Sequence, residues 1–224
     1  MKRTIFNLII LDESGSMSPV TGETIMGCNE TLSAVRAMEK KNGASERNLV
    51  SIYAFQSGAV PSRYIVKNKP IDSVRDITSE DYSPSGCTPM LDAIGMTLVD
   101  LRAVASTHED SIGIVTIITD GYENSSREYT WSNVRDIIRQ LKDLGWTINF
   151  IGANIDVDKV ADNLEIDNRM KFDNDSEGTK SMFSRLASFS SIAAERRIVE
   201  EACQMSDEER IEKRKIRGRS FFNR

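Results

Sequence analysis

The sequence predicts an α/β fold: a doubly wound, mostly parallel six-stranded sheet with one antiparallel edge strand and helices on both faces. Short apolar runs alternate along the chain with longer segments whose apolar residues recur at helical spacing. One run, residues 112–119, is apolar almost without interruption, which is typical of a central parallel strand. The 224 residues, 39% hydrophobic and 28% charged, suit one globular domain with an appendage.

The first strand is predicted over residues 4–11, where large apolar and β-branched residues precede Asp12. The second and third strands are separated only by residues 56–61, which is too short for a parallel crossover, so they form an antiparallel hairpin. Lys67, Lys69 and Pro70 suit an exposed edge. In order, the strands are predicted at about residues 4–11, 48–55, 62–67, 112–119, 147–151 and 169–172.

The helices follow from apolar stripes and from residues that begin or end a helix. Thr88-Pro89 is a good start for the helix that follows it. Gly145 is expected to end the helix predicted at residues 134–144. Beyond residue 198 charged residues dominate, and Ser206 to Glu209 resembles a capping box. We therefore predict a domain over residues 1–197, and a peripheral charged helix with a basic tail over residues 198–224. The domain helices are predicted at about residues 21–41, 89–104, 134–144, 156–164 and 179–197.

Composition argues against several classes of protein. The net charge of -5 argues against a nucleic-acid binder, and no stretch is long enough to span a membrane. The apolar run after Met1 is too short for a signal peptide and has no cleavage site. Cys28, Cys87 and Cys203 are too far apart for a zinc site and suit free thiols in a reducing compartment. We expect a cytoplasmic monomer.

Five oxygen-bearing residues stand where three loops leave or enter predicted elements. Asp12, Ser14 and Ser16 follow the first strand, Thr88 precedes a helix, and Asp120 ends the strongest strand. In open α/β sheets, ligands bind beyond the carboxyl ends of the strands. Two carboxylates and three hydroxyls are ligands that Mg²⁺ accepts, and they leave room for an outside ligand. If these loops meet, they form a metal site.

The strings Asp12-x-Ser14-x-Ser16, Thr88 and Asp120-Gly121 resemble the metal-ion-dependent adhesion site (MIDAS) of the von Willebrand factor type A (VWA) domain family. The resemblance covers about residues 3–172. It implies an intracellular, bacterial-type, stand-alone member of the family with an intact metal site. It implies a Rossmann-like sheet and a Mg²⁺ or Mn²⁺ ion. Ser14, Ser16 and Thr88 would supply hydroxyls, while Asp12 and Asp120 would bind directly or through water. An acidic side chain of a partner would take the sixth position.

Two positions depart from the family pattern. Many members have a second glycine where Cys87 stands here, so this loop is expected to be stiffer. Glu13 adds a carboxylate beside the site, which would weaken capture of an acidic partner. Neither departure removes a ligand.

Other interpretations remain open at this point. Asp12, Ser14 and Ser16 also suit a turn that caps the following helix. A metal-dependent phosphohydrolase or phosphotransferase would need a nucleophile, but Ser14 stands where such enzymes commonly carry a second aspartate, and no lysine flanks Thr88 or Asp120. A third alternative is a scaffold with a vestigial metal site that binds through its C-terminal helix.

The only histidine argues against a Ser-His-Asp hydrolase. His108 is expected on the surface, before the central strand and at the far end of the sheet from the site. The sequence therefore favours a non-enzymatic, metal-dependent protein-binding module. The family resemblance implies a partner that offers an Asp or Glu side chain and that belongs to an ATPase or an assembly complex.

Overall fold

A single mixed sheet organises the chain in this computed structural model, which describes residues 2–201, 207–219 and 221–222, without the side chains of residues 190–201, 207, 210 and 217. The strands are β1 Arg3–Asp12, β2 Glu46–Phe55, β3 Arg63–Pro70, β4 Ser111–Thr119, β5 Thr147–Gly152 and β6 Asn168–Lys171. Their order is β3-β2-β1-β4-β5-β6, and only β3 runs antiparallel to its neighbour. The predicted fold class and edge hairpin are confirmed.

Strand β1 lies between β2 and β4 and is parallel to both. The chain adds β2 and β3 on one side of β1 and then crosses to add β4, β5 and β6 on the other side, so the direction of strand addition reverses at β1. In that register Leu11 pairs with Ile118. The two strands therefore end side by side, which makes a crevice at their carboxyl edge.

Helices cover both faces of the sheet. They are α1 Thr21–Asn42, α2 Met90–Ala105, α3 Trp131–Asp143, α4 Val157–Asn163, α5 Ser176–Glu201 and α6 Asp207–Gly218. On one face, α2, α3 and α4 pack on an apolar cluster that includes Leu8 and Val115. On the other face, α1 and α5 pack on a second cluster that includes Leu11 and Ile118. Short 3-10 helices occur at Gly15–Val20 and Ile71–Ser73.

Helix α5 begins three residues earlier than its apolar pattern indicates. The Asp175 carboxylate accepts a hydrogen bond from the Gly178 amide at 2.7 Å and so satisfies a free donor of the first turn. Gly145 ends α3, as predicted. Its φ of +81° is a conformation that glycine adopts without strain.

The C-terminal segment packs on the domain. Arg214 in α6 forms an ion pair with Asp110 at 3.4 Å, and Phe221 is buried. The ring of Phe222 meets that of Phe189 at 5.4 Å between centroids. Sequence reasoning gave the two phenylalanines no role. Of the earlier predictions, Cys203 and the capping residue Ser206 lie outside the described residues, and the domain boundary at residue 197 stays a prediction.

Over the residues that the structure covers, no helix combines the length and the apolar character that crossing a membrane requires. Cys28 is buried and Cys87 is exposed, and both are free thiols. His108 is half-buried in the turn before β4, where its ring meets the edge of Phe6 at 5.2 Å.

The seam between α1 and α5 gives a stability test. A Cβ added at Gly27 would lie 2.1 Å from the Phe183 ring, whereas one at Gly22, in the same helix, would meet nothing within 4 Å. We expect Gly27→Ala to lower the free energy of unfolding by about 1–3 kcal/mol through overpacking. Gly22→Ala should leave it unchanged or raise it by up to about 1 kcal/mol. Urea unfolding measures both, and equal stabilities would contradict this packing.

Candidate metal centre

Three loops meet at the carboxyl ends of β1 and β4. Asp12 ends β1, and Asp120 directly follows β4. The Ser16 hydroxyl donates to Asp120 Oδ1 at 2.6 Å and lies 3.1 Å from Ser14 Oγ. Thr88 is buried, and a Cβ placed on the neighbouring Gly121 would lie 3.2 Å from Thr88 Oγ1 and 3.8 Å from Ser16 Oγ. The five residues singled out from the sequence are therefore brought together.

Both oxygens of Asp12 accept hydrogen bonds inside the protein. The Ser14 amide donates to Oδ1 at 2.7 Å, and the Thr119 hydroxyl donates to Oδ2 at 2.5 Å. Asp12 has no exposed surface, and its burial raises the pKa of this carboxyl from 3.8 to about 6 despite these donors. Thr119 was not singled out from the sequence, although its place at the end of β4 was correct.

Asp120 is held from two sides. Ser16 donates to Oδ1, and the Asn174 amide donates to Oδ2 at 2.6 Å. Partial burial raises the pKa of this carboxyl as well. Asn174 lies in the loop between β6 and α5, which carries none of the predicted site residues, so the motif spacing gave no reason to select it.

The loop that delivers Thr88 is tied to the end of β1. The Tyr82 hydroxyl donates to the Asp12 carbonyl at 2.7 Å, and the Gly15 amide donates to the Gly86 carbonyl at 3.1 Å. Gly86 has a φ of +68°, and a Cβ there would lie 2.3 Å from the backbone nitrogen of Gly58. Only glycine fits this approach.

Glu13 also helps to attach the Thr88 loop to the end of β1. This corrects the expectation that its carboxylate adds charge beside the metal site. Its side chain is fully buried and forms a two-point ion pair with Arg63, at 2.6 and 3.1 Å. The Ser83 amide donates to Glu13 Oε1 at 2.6 Å, and the Ser85 amide donates to its carbonyl at 2.9 Å. Glu13 therefore carries a neutralised charge and positions the Thr88 loop.

The loop after β4 fixes Thr88 from the other side. The Thr88 amide donates to Asn124 Oδ1 at 2.8 Å, and the Asn124 amide donates back to the Thr88 carbonyl at 3.2 Å. Glu123 accepts from the Leu91 amide in the first turn of α2 at 2.8 Å. These hydrogen bonds attach the loop that follows Asp120 to the backbone around Thr88.

The donor set fits a hard divalent cation. Burial raises the pKa values of Asp12 and Asp120, and the described residues with the largest effects on these values include no Lys or Arg. A dication would supply the missing positive charge. No group of three or more His, Cys, Asp or Glu side chains suited to a metal occurs within the described ranges. A metal here would depend on serine and threonine hydroxyls, which Mg²⁺ accepts and softer metals disfavour.

No protein-family model and no curated protein sequence matches the chain. Solved structures do match it. The pilus adhesin SpaC from Lactobacillus rhamnosus GG, in its open conformation, is 15% identical with a TM-score of 0.60, over 84% of this chain and 30% of the adhesin. The PilB minor pilin from Streptococcus sanguinis is 13% identical with a TM-score of 0.55, over 84% and 61%.

A third match is the manganese-loaded TRAP protein of Plasmodium vivax, 14% identical with a TM-score of 0.51, over 80% of this chain and 71% of that one. The chain thus spans less than two thirds of the adhesin and of the pilin. Identities this low establish the fold alone. That fold is VWA-like.

The buried Asp12 carboxyl makes stability depend on pH in the metal-free protein. Its pKa is about 6 when folded and 3.8 as the unperturbed value. Between these values the folded state holds a proton that the unfolded state has released, so stability falls as pH rises through this window, by roughly 3 kcal/mol in total. Asp12→Asn removes this component. Urea unfolding from pH 3.5 to 7 in EDTA measures the difference between the two proteins, and parallel profiles would contradict the buried carboxyl.

The Glu13–Arg63 pair gives a second test. Arg63→Ala leaves a fully buried carboxylate without its partner, and we expect a loss of roughly 3–5 kcal/mol in the free energy of unfolding. Adding Glu13→Gln to that variant should recover part of the loss, because the uncompensated charge is gone. The control is Lys67→Ala, which breaks a surface pair with Asp100 and should cost about 1 kcal/mol or less. Equal losses for Arg63→Ala and Lys67→Ala would show that Glu13 is not the buried anchor.

Proposed function

We propose that this chain is a non-enzymatic protein-interaction module that binds a Mg²⁺ or Mn²⁺ ion and uses it to capture an acidic side chain of a partner protein. The observation that carries the proposal is the meeting of two buried carboxylates and three hydroxyls, where no Lys or Arg of the described residues is among the main influences on either carboxylate. Burying charge without a partner is costly, and such an arrangement is retained where something binds it.

The five residues would have two kinds of role at the ion. Ser14, Ser16 and Thr88 would offer neutral hydroxyl oxygens to the ion. Asp12 and Asp120 would balance its charge, directly or through water. Mg²⁺ takes six ligands in octahedral geometry and keeps several waters. When bound, the ion would supply a positive centre that accepts an outside carboxylate in place of a water.

The surface beside the centre suits a protein partner. Ser16, Cys87 and Tyr122 are exposed next to the buried ligands. Tyr122 is 53% exposed, and its hydroxyl accepts a hydrogen bond from the Asp156 amide at 2.8 Å, which anchors the ring. Anchored aromatic residues are common at the energetic centre of protein interfaces. The manganese-loaded TRAP structure, which has this fold, supports a divalent ion as the cofactor.

The phosphohydrolase alternative lacks a nucleophile. Asp12 is fully buried, and both of its oxygens accept hydrogen bonds from Ser14 and Thr119. A nucleophilic carboxylate would need an accessible oxygen next to the phosphorus. The scaffold alternative, in which the C-terminal helix binds the partner instead, is tested by the pull-down with truncation after residue 197.

The test is a titration with Mg²⁺ and with Mn²⁺, followed by thermal unfolding. At 100 times its Kd, a bound ion should stabilise the fold by about 2.7 kcal/mol. Asp12→Ala and Thr88→Ala should remove most of this gain. Ser18→Ala is the matched control, because its exposed hydroxyl lies in the same segment and donates only to the Gly15 carbonyl. No gain at millimolar metal, or an equal gain in Asp12→Ala, would contradict the metal site.

Partner capture is tested separately by pull-down in the presence of EDTA, of added Mg²⁺, or of neither. The proposal predicts partners that are lost in EDTA, return with Mg²⁺ and are absent with Asp120→Ala. Partners retained in EDTA but lost on truncation after residue 197 would favour the scaffold alternative.

A further inference from the structure

A fourth loop reaches the candidate metal centre. Asn174, between β6 and α5, donates from Nδ2 to Asp120 Oδ2 at 2.6 Å, across 54 positions of sequence. The other loops at the centre follow β1, precede α2 and follow β4. The motif that marks the centre in the sequence contains no residue of this fourth loop.

We infer that Asn174 is a positioning residue of the metal centre, which holds Asp120 in the orientation that the cation requires. The inference rests on the proposed function, since it assigns a further residue to the same site. An amide N–H cannot bind a cation, so Asn174 in this orientation acts through Asp120 and is not itself a ligand.

The hydrogen bonds around Asp120 specify which way the Asn174 amide faces. Asn174 Oδ1 is buried and has no hydrogen-bond partner among the described residues, while Nδ2 faces the carboxylate. Turning the amide over would place two oxygens 2.6 Å apart, which an ionised Asp120 would repel. With Ser16 on Oδ1 and Asn174 on Oδ2, the carboxylate is fixed at both ends.

Asn174 is itself held between two rigid points. Just before it, the Phe172 amide donates to the Gly152 carbonyl at 3.1 Å and extends the sheet. Just after it, Asp175 caps α5 by accepting from the Gly178 amide. A donor mounted between a strand and a helix cap has little freedom to follow a moving carboxylate. It therefore sets the position of Asp120 and is not set by it.

A purely structural role for Asn174 would be a tether for the β6–α5 loop. The chain offers a matched tether where this loop joins α5: the hydroxyl of Ser176, the first residue of the helix, donates to Glu23 Oε1 of α1 at 2.7 Å and not to Asp120. If Asn174 were only a tether, Asn174→Ala and Ser176→Ala would have the same consequences. If it positions Asp120, only Asn174→Ala changes metal affinity.

The experiment measures the Mn²⁺ dissociation constant of the full chain by calorimetry, with the metal-free melting temperature measured in parallel. Both variants should lower that melting temperature slightly. Asn174→Ala should weaken Mn²⁺ binding about tenfold or more, as loss of an outer hydrogen bond to a metal ligand usually does. Ser176→Ala should bind Mn²⁺ as tightly as the unmodified chain.

A second variant, Asn174→Asp, keeps the size of the side chain but places a carboxylate against Asp120. Its metal-free form should melt lower than that of Asn174→Ala, and Mn²⁺ should raise its melting temperature more, because the cation relieves the repulsion. Unchanged Mn²⁺ affinity in Asn174→Ala, or equal weakening in Ser176→Ala, would overturn the inference while leaving the proposed function intact. Absence of Mn²⁺ binding by the unmodified chain would overturn both.

Discussion

The parallel pairing of β1 with β4 is the constraint on which the rest of the site depends. Because these strands are neighbours and end in register, Asp12 and Asp120 leave the sheet at the same point although 108 positions separate them in the printed sequence. After β1 the chain turns to the face that α1 covers, and after β4 it turns to the face that α3 covers, which opens the crevice between the two strand ends. The hydrogen bonds described above then attach the surrounding loops to these two strand ends.

Two carboxylates in one crevice repel each other and lose hydration, and the described residues that hydrogen-bond to them are neutral donors. Ser14 and Thr119 donate to Asp12, while Ser16 and Asn174 donate to Asp120. Glu13, by contrast, has a cationic partner, and its pair with Arg63 attaches the Thr88 loop to β1. The charge of Glu13 is thus neutralised within the chain, whereas the proposed cation would neutralise the charge of Asp12 and Asp120.

The spacing of apolar residues along the chain was enough to predict the strands, the helices and the fold class. The nearly continuous apolar run of β4 indicated a central strand, and the short connection between β2 and β3 indicated the antiparallel edge. The five candidate ligands were found because the motif residues stand at element ends. Asn174, and the pairing of Glu13 with Arg63 across 50 positions, could not be found this way. Both arise from loop packing, which one sequence without its fold does not specify. The packing of Phe221 was missed for the same reason.

We propose that the crevice between β1 and β4 holds a divalent cation. A crystal of the full chain grown with Mn²⁺, with diffraction recorded near the manganese absorption edge, would locate the ion directly. We expect one strong anomalous peak bounded by the hydroxyls of Ser14, Ser16 and Thr88, with Asp12 and Asp120 bound directly or through water. A crevice without a peak at saturating Mn²⁺, or a peak elsewhere in the chain alone, would contradict it.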